Sequence, residues 1–255
     1  AYVLNYEKAT SIIKNAESIG VSRCYCRHKA EHLNQACDAP QEVCLSINDL
    51  SLSLSKHGYA RIIDTKEALD ILKLSYDHNL VQFAENVKDD VGFICNCCSC
   101  CCVALKGARK MGVPQTISSS NFIAEIKETC INCRKCIEVC PMGCFEFKDK
   151  KVVLDKSLCL GCGVCERVCR FESIKMVKRE KRVFTPVNTV HKLILEAIES
   201  DTLHNLIFDN KNLLSHRFMR AFLGAFLKLS PVKKLLVSKT FKSKYLASIS
   251  KKISI

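Results

Sequence analysis

The sequence predicts an α+β protein of three parts, and three observations support this division. Cysteines cluster in the first part, a cysteine run occurs twice in the second, and the third is basic and lacks cysteine. We place the parts at residues 1–117, 121–180 and 183–255. The chain of 255 residues is long enough for one large or two smaller domains with an ample core.

The central part is organised by a repeated cysteine run of the form C-x2-C-x2-C-x3-C. The run spans Cys130–Cys140 and recurs, at an offset of 29 residues, across Cys159–Cys169. Such a run ligates a cubane iron–sulfur cluster, because three closely spaced thiolates can reach three irons of one cube. Two runs at this distance predict two clusters in one domain.

On these motifs, residues 121–180 resemble a two-cluster bacterial ferredoxin. The resemblance implies a ferredoxin-like fold and a crossed ligand set, in which the fourth cysteine of each run serves the other cluster. Cys144 lies outside both runs, and we interpret it as a buried core thiol. One [4Fe–4S] cluster would be held by Cys130, Cys133, Cys136 and Cys169. The second would be held by Cys159, Cys162, Cys165 and Cys140.

The two runs differ from each other and from the ferredoxin pattern in a few residues. Gly161 and Gly163 of the second run let backbone amides approach inorganic sulfur, which raises the reduction potential. The first run has Asn132 and Arg134 at the equivalent places. Arg170 follows the second run where the pattern has proline, so we expect a cation near one cluster.

Four cysteines near the N-terminus, with the spacing C-x-C-x10-C-x6-C, match no standard cluster motif. His28 and His32 lie close to them, and we interpret these two as a solvated helical face. We favour an iron–sulfur site over structural zinc, because zinc sites generally use wider C-x2-C knuckles. Free or redox-active thiols are the third interpretation. The four residues are Cys24, Cys26, Cys37 and Cys44.

A second cysteine cluster has the sequence CNCCSCCC. Neighbouring side chains of an extended chain point in opposite directions. Cys97 and Cys98, or Cys101 and Cys102, would therefore face different partners. The cluster could supply ligands to one or two iron–sulfur clusters, form a non-standard cluster with bridging thiolates, or hold thiols that react with a substrate. Its members are Cys95, Cys97, Cys98, Cys100, Cys101 and Cys102.

The pairing of a C-x-C-R element with a downstream NCC-x-CCC element is similar to uncharacterised cysteine-rich modules fused to ferredoxins in anaerobic microbes. The resemblance covers residues 20–120 and implies no particular activity. It implies that the ten N-terminal cysteines form one α/β module. They are candidate ligands of one or two further clusters, with individual roles unassigned.

Hydrophobic periodicity and capping signals predict the elements around these cysteines. We expect a helix over 5–20 that ends at Gly20, and a helix over 66–77 after a capping box at Asp64. A short strand is expected over 80–83 and a further helix over 103–111.

The last part of the chain carries almost all of the net charge. Residues 173–255 contain 17 Lys or Arg and 5 Asp or Glu, a net +12 of the total +13. Helical patterns cover 188–207, 211–229 and 232–248. We expect these basic helices to pack on the chain or dock on a partner, with peripheral contact to an anionic membrane as the alternative. No motif supports nucleic-acid binding.

Motifs that the sequence lacks limit the kinds of chemistry and the cell compartment that we expect. There is no P-loop, dinucleotide fingerprint or catalytic triad. No secretory signal is visible, and no apolar run reaches the roughly 18 residues needed to span a bilayer. Thiolate ligands require a reducing compartment, so we expect a cytoplasmic protein, at the inner face of the membrane if the basic helices contact it.

These observations predict an electron-transfer component of an oxidoreductase system rather than an enzyme in itself. It would relay single electrons between redox partner proteins, within a larger complex. The alternative is a reductase in which the Cys95–Cys102 region forms a substrate-binding cluster or reactive dithiol. A third interpretation is a structural adaptor whose clusters only stabilise the fold.

Overall fold

A computed structural model describes residues 2–111, 117–180, 183–200, 202–208 and 213–227. The chain divides into two compact units: residues 1–86 with 90–184, and residues 87–89 with 185–255. Both cysteine-rich parts lie in the first unit. The helix expected over 232–248 lies outside the described residues.

The N-terminal part alternates strands and helices on one six-stranded sheet. The strand order is β1-β5-β6-β3-β2-β4, and every neighbouring pair is antiparallel. The α/β module expected here therefore takes the form of alternating elements on an antiparallel sheet. In chain order the elements are β1 (Tyr2–Val3), α1 (Tyr6–Lys14), β2 (Ile19–Arg23), α2 (Tyr25–His32), β3 (Glu42–Ile47), α3 (Asp49–Lys56), β4 (Arg61–Ile63), α4 (Thr65–Asp77), β5 (Val81–Ala84), β6 (Phe93–Cys97) and α5 (Val103–Met111).

Local capping explains the elements that the sequence predicts correctly. The Asp64 carboxylate accepts a hydrogen bond from the Glu67 amide at 2.7 Å and begins α4. Strand β5 and helix α5 also occupy the segments predicted for them.

The helix predicted over 5–20 is too long. It begins after Asn5, whose side chain accepts from the Lys8 amide, but it ends at Lys14. Gly20 belongs to β2, where a Cβ would come within 2.7 Å of Ser46 Oγ. This glycine therefore permits close packing in the sheet and does not stop a helix.

The central part consists of two β-α-β halves related by the offset of 29 residues. Each half contributes one strand to each of two antiparallel pairs, β7 with β10 and β8 with β9. The halves are therefore interleaved rather than side by side. The elements are β7 (Phe122–Ile126), α6 (Lys135–Val139), β8 (Phe145–Lys148), β9 (Lys151–Leu154), α7 (Val164–Val168) and β10 (Ile174–Lys178).

The loops of the two halves share the same left-handed backbone positions although their residues differ. Positive φ angles recur at matching places, which shows that the repeat preserves conformation where it does not preserve residue type. The matched pairs are Asn132 (60°) with Gly161 (69°), Arg134 (66°) with Gly163 (77°), and Gly143 (67°) with Glu172 (47°).

The second compact unit contains α8 (Thr189–Glu199), α9 (Leu203–Ile207) and α10 (Leu214–Leu227). The single helix predicted over 188–207 is thus divided in two. Helix α8 ends at Glu199, and the capping residue Ser200 donates its hydroxyl to the Glu196 carbonyl at 2.6 Å. Over the described part of the chain, no helix has both the length and the apolar character to cross a bilayer.

Substituting Gly161→Ala should destabilise the protein more than Gly143→Ala. Both glycines have positive φ, so either change costs about 1 kcal/mol of backbone strain. At Gly161 a Cβ would lie 2.1 Å from the Phe122 carbonyl oxygen, whereas at Gly143 nothing lies within 4 Å. We expect both variants to melt at a lower temperature, Gly161→Ala by clearly more, and reduced iron content for Gly161→Ala only. Equal melting temperatures for the two variants would contradict this packing argument.

Candidate metal centres

Four cysteines from the two runs of the central part line one small cavity. Three come from the second run, and the fourth, Cys140, comes from the end of the first. Four thiols around a single cavity suit a cubane cluster, which needs one thiolate for each iron. The cysteines are Cys140, Cys159, Cys162 and Cys165, the set expected for the second cluster.

Cys144 is buried in the hydrophobic core, as predicted, and it also lines this cavity. It is 2% exposed, and its backbone amide donates to Cys140 Sγ at 3.3 Å. Hydrogen bonding from Cys144 lowers the pKa of Cys140 and of Cys159 to about 6. Burial instead raises the pKa of Cys162 to about 12. Cys144 therefore favours the thiolate form of two of its neighbours.

Three of the four cysteines expected for the first cluster lie near one another at α6. Burial raises the pKa of Cys136 to about 11, and the neighbouring sulfurs of Cys130 and Cys133 add to this effect. Cys133 is exposed, while Cys169, at the end of α7, packs against the same hydrophobic core as Cys136. The first three thus lie near one another, with Cys169 on the shared core.

Asn132 has a structural role at the place where the second run has glycine. Its Oδ1 accepts a hydrogen bond from the Val152 amide at 2.8 Å, which ties the first loop to β9. Asn tolerates left-handed backbone better than most residues. The first run therefore keeps the loop conformation of the second while adding a side-chain contact.

Six N-terminal cysteines interact in one continuous group, although they come from separate elements. Two lie at the start of α2, one on β3, two on β6 and one just before α5. Successive thiol interactions run through Cys24, Cys44, Cys95, Cys97, Cys102 and Cys26, in that order, and we call this set the six-cysteine group.

Hydrogen bonds inside the six-cysteine group favour ionisation of two of its members. Those from Cys44 and Cys97 lower the pKa of Cys95, and those from Cys26 and Cys97 lower the pKa of Cys102. The thiolate is the form that binds metal. The group therefore has the donor chemistry required of a metal or cluster site.

The other four N-terminal cysteines form a separate and tighter set. All four Sγ atoms lie within 4.8 Å of one another. Cys100 is exposed and Cys101 is buried. This set, the four-cysteine group, consists of Cys37, Cys98, Cys100 and Cys101.

Adjacent cysteines are divided between the two groups as the chain geometry predicted. Cys97 joins the six-cysteine group and Cys98 the four-cysteine group, and Cys101 and Cys102 separate in the same way. Cys100 and Cys101 stay together because they lie in a turn rather than in extended chain.

Arg27 connects the two groups, and the sequence analysis did not assign it a role. It is fully buried, its Nη1 donates to Cys98 Sγ at 3.6 Å, and its Nη2 donates to the Asn96 carbonyl at 3.1 Å. Burial acts to lower the pKa of Arg27, but the nearby sulfurs of Cys24, Cys98 and Cys44 together raise it above its ordinary value. The only available signal was its position directly after the C-x-C pair.

Arg167 links the central part to the N-terminal part through a buried polar network. Its guanidinium lies 3.9 Å from the centroid of the Tyr76 ring and donates to the Cys162 carbonyl at 3.4 Å. It also donates to Gln82 Oε1 at 3.5 Å, and Gln82 Nε2 in turn donates to Asn96 Oδ1 at 3.1 Å. Because Asn96 accepts from Arg27 through its carbonyl, the network reaches both cysteine-rich parts.

Comparison with known proteins identifies the central part. The family description "4Fe-4S dicluster domain" matches residues 129–182. Residues 129–182 are a 4Fe-4S dicluster domain. The match contains both cysteine sets and every residue that lines the cavity, and β7 lies just before it. The dicluster domain is a ferredoxin-like, iron–sulfur electron-transfer domain.

Relatives of the dicluster domain occur as separate ferredoxins and as subunits. The pyruvate synthase subunit PorD of Methanothermobacter marburgensis is 46% identical over 55 residues, which are 22% of this chain and 63% of the relative. An uncharacterized ferredoxin of Methanocaldococcus jannaschii is 33% identical over 85 residues, 33% of this chain and 51% of the relative. The hydrogenase-4 component A of Escherichia coli is 31% identical over 88 residues, 31% of this chain and 42% of the relative.

The chain spans between 42% and 63% of the length of these curated relatives. What the matches share with this chain is therefore the dicluster domain, and the names of the relatives describe those proteins alone.

Replacing Arg167 by alanine should loosen the dicluster domain from the N-terminal part. The change removes charged hydrogen bonds to three backbone carbonyls and the stacking on Tyr76. We expect a loss of about 2 kcal/mol, seen as a melting temperature lower by about 4–8 °C.

Arg170→Ala is the matched control, because it removes the same charge from an exposed position three residues away. We expect it to leave the melting temperature within about 1 °C of the parent. Equal losses in both variants would show that the network contributes nothing beyond net charge.

Proposed function

We propose that this chain is an iron–sulfur protein that relays single electrons between redox partners. Each bound [4Fe–4S] cluster would supply a one-electron couple. The protein's own residues hold the ligands in position, limit access of water and adjust the potential. The observation that carries the proposal is the meeting of Cys140 with three cysteines of the second run around one cavity.

The proposed ligand sets follow the crossed arrangement. Cys130, Cys133, Cys136 and Cys169 would hold one cluster, and Cys140, Cys159, Cys162 and Cys165 the other. The packing of Cys136 and Cys169 against the core that also contains Cys165 supports a short distance between the two sites. A short distance suits electron transfer from one cluster to the next.

We propose that the six-cysteine group holds a further iron–sulfur cluster. Its members Cys95, Cys97 and Cys102 pack against the same hydrophobic core as the cysteines of the dicluster domain. A cluster there would extend the relay from the dicluster domain into the N-terminal part. A cubane needs four thiolate ligands, so two of the six thiols would remain to bridge metal ions or to donate hydrogen bonds.

We propose that the C-terminal unit docks the chain on a partner subunit of an oxidoreductase complex. Helix α10 packs on α9 through Gly224, which lies against the His204 ring. Its opposite face exposes Leu214, Phe218 and Phe222, which are 77%, 71% and 62% exposed. An apolar stripe within a strongly basic segment suits a protein surface that is acidic around an apolar centre.

Single cysteine substitutions should remove one cluster at a time. We expect Cys133→Ala and Cys162→Ala each to lose about four irons and about four sulfides per chain, since each cubane holds four of each. The parent, purified without oxygen, should contain about twelve sulfides and about twelve cluster irons, four of each for each of the three proposed clusters, whereas about eight of each would show that the six-cysteine group holds no cluster. The measurements are iron, acid-labile sulfide and EPR of the reduced protein.

Cys144→Ala is the matched control within the same cavity. It should keep all clusters, but loss of the thiol hydrogen bond should lower one midpoint potential by about 20–65 mV, equivalent to one hydrogen bond of about 0.5–1.5 kcal/mol. Full cluster content and electron transfer in Cys162→Ala would refute the proposed relay.

A vesicle-binding assay distinguishes docking on a protein partner from contact with a membrane surface. We expect the full chain to remain in the supernatant when vesicles containing anionic lipid are sedimented, because the proposed occupant of α10 is a protein. Co-sedimentation with anionic but not neutral vesicles, reversed by high salt, would contradict the docking proposal and favour peripheral membrane contact.

A further inference from the structure

We propose that the four-cysteine group binds one divalent metal ion, Zn²⁺ or Fe²⁺, in a closed mononuclear site separate from any iron–sulfur cluster. The proposal does not depend on the electron relay. It assigns Cys37, Cys98, Cys100 and Cys101 as four thiolate ligands of a single ion.

The sulfur–sulfur distances match a tetrahedron around one ion. Cys37 Sγ lies 3.6 Å from Cys98 Sγ and 3.8 Å from Cys101 Sγ, and the Cys100 and Cys101 sulfurs are 3.8 Å apart. Metal–sulfur bonds of about 2.3 Å in a tetrahedron place the sulfurs about 3.8 Å apart. A cubane inserts four irons between its ligand sulfurs, which must therefore stand farther apart.

The other cysteine sets provide an internal comparison. Among the described residues, the four-cysteine group alone brings three or more potential metal ligands from different residues within 4.8 Å of one another. The two sets proposed for cubane clusters do not meet this limit, and neither does the six-cysteine group. The four-cysteine group is thus geometrically distinct from the proposed cluster sites.

The buried guanidinium of Arg27 is an independent indication of bound metal. A fully buried cation is costly unless it is paired with an anion. The sulfur of Cys98 is 3.6 Å from Nη1, Nη2 bonds to a neutral carbonyl, and Nε has no hydrogen-bond partner among the described residues. A metal ion bound by the four-cysteine group would fix Cys98 as a thiolate and so place an anion 3.6 Å from Nη1.

The exposed side of the group is also cationic. Four thiolates around a divalent ion carry a net double negative charge, and Arg27 offsets part of it from the interior. Lys106, Arg109 and Lys110 of α5 line a surface depression together with Cys100 and Ser99. Cations therefore lie on both sides of the group, where they would offset part of the charge of an anionic metal–thiolate centre.

The ratio of metal to sulfide tests the proposal on the full chain. Zinc, iron and acid-labile sulfide are measured per chain on protein purified without oxygen. [4Fe–4S] clusters contain iron and sulfide in equal numbers. We expect about one metal ion per chain in excess of sulfide, as zinc or as iron. Equal iron and sulfide with no zinc would overturn the proposal.

Two exposed cysteines provide a matched pair of variants. Cys100→Ser should lose the excess ion and keep its sulfide, whereas Cys133→Ser should lose iron and sulfide equally and keep the excess ion. Cys100→His should retain about one ion per chain, because imidazole is also a zinc and iron ligand. Circular dichroism checks that each variant is folded. Loss of iron and sulfide together in Cys100→Ser would assign Cys100 to a cluster and refute the mononuclear site.

The identity of the ion follows from the same samples. Excess zinc indicates a structural site without redox activity. Excess iron should give an EPR signal of high-spin ferric iron in a tetrahedral thiolate site after oxidation, and Cys100→Ser should abolish it. Either result supports the proposal. In both cases the ion has no accompanying sulfide, which distinguishes it from the iron of the proposed clusters.

Discussion

The buried charge of Arg27 constrains the whole N-terminal part. A guanidinium in the protein interior needs anionic or strongly polar neighbours, and here the nearest anionic groups are cysteine sulfurs. Through Asn96 and Gln82 the same polar network reaches Arg167, which bonds to the carbonyl of Cys162 in the dicluster domain. One hydrogen-bonded network therefore joins the cysteine sulfurs, the sheet and the dicluster domain.

The dicluster domain shows how a repeat can preserve backbone without preserving side chains. Its loops need left-handed conformations at matching positions, which the second half meets with glycine and the first half with Asn132 and Arg134. Each of these two side chains makes a contact that glycine could not make. Asn132 accepts a hydrogen bond from the Val152 amide, and Arg134 lies 3.8 Å from the centroid of the Phe147 ring. The cost of positive φ is offset locally, so the cysteine geometry of both halves is retained.

Local patterns predicted the features that depend on nearby residues. The tandem runs predicted the dicluster domain, the Asp64 cap predicted α4, and chain alternation predicted the separation of Cys97 from Cys98. Long-range pairing was not predictable: Cys44 meets Cys95 only because β3, β6 and β5 are neighbours in the sheet. The prediction that Gly20 ends a helix was wrong for the same reason. Glycine is needed at this position because Ser46 of another strand leaves no space for a Cβ.

The order of the sites in space suggests why one part of the chain would carry two kinds of thiolate centre. The six-cysteine group packs on the dicluster core through Cys95, Cys97 and Cys102, while Cys24, Cys26 and Cys44 share a second core with Cys98 of the four-cysteine group. The turn that carries Cys98, Cys100 and Cys101 is flanked directly by Cys97 and Cys102. An ion held by that turn would fix both flanking cysteines, so a mononuclear site would position ligands for its redox-active neighbour.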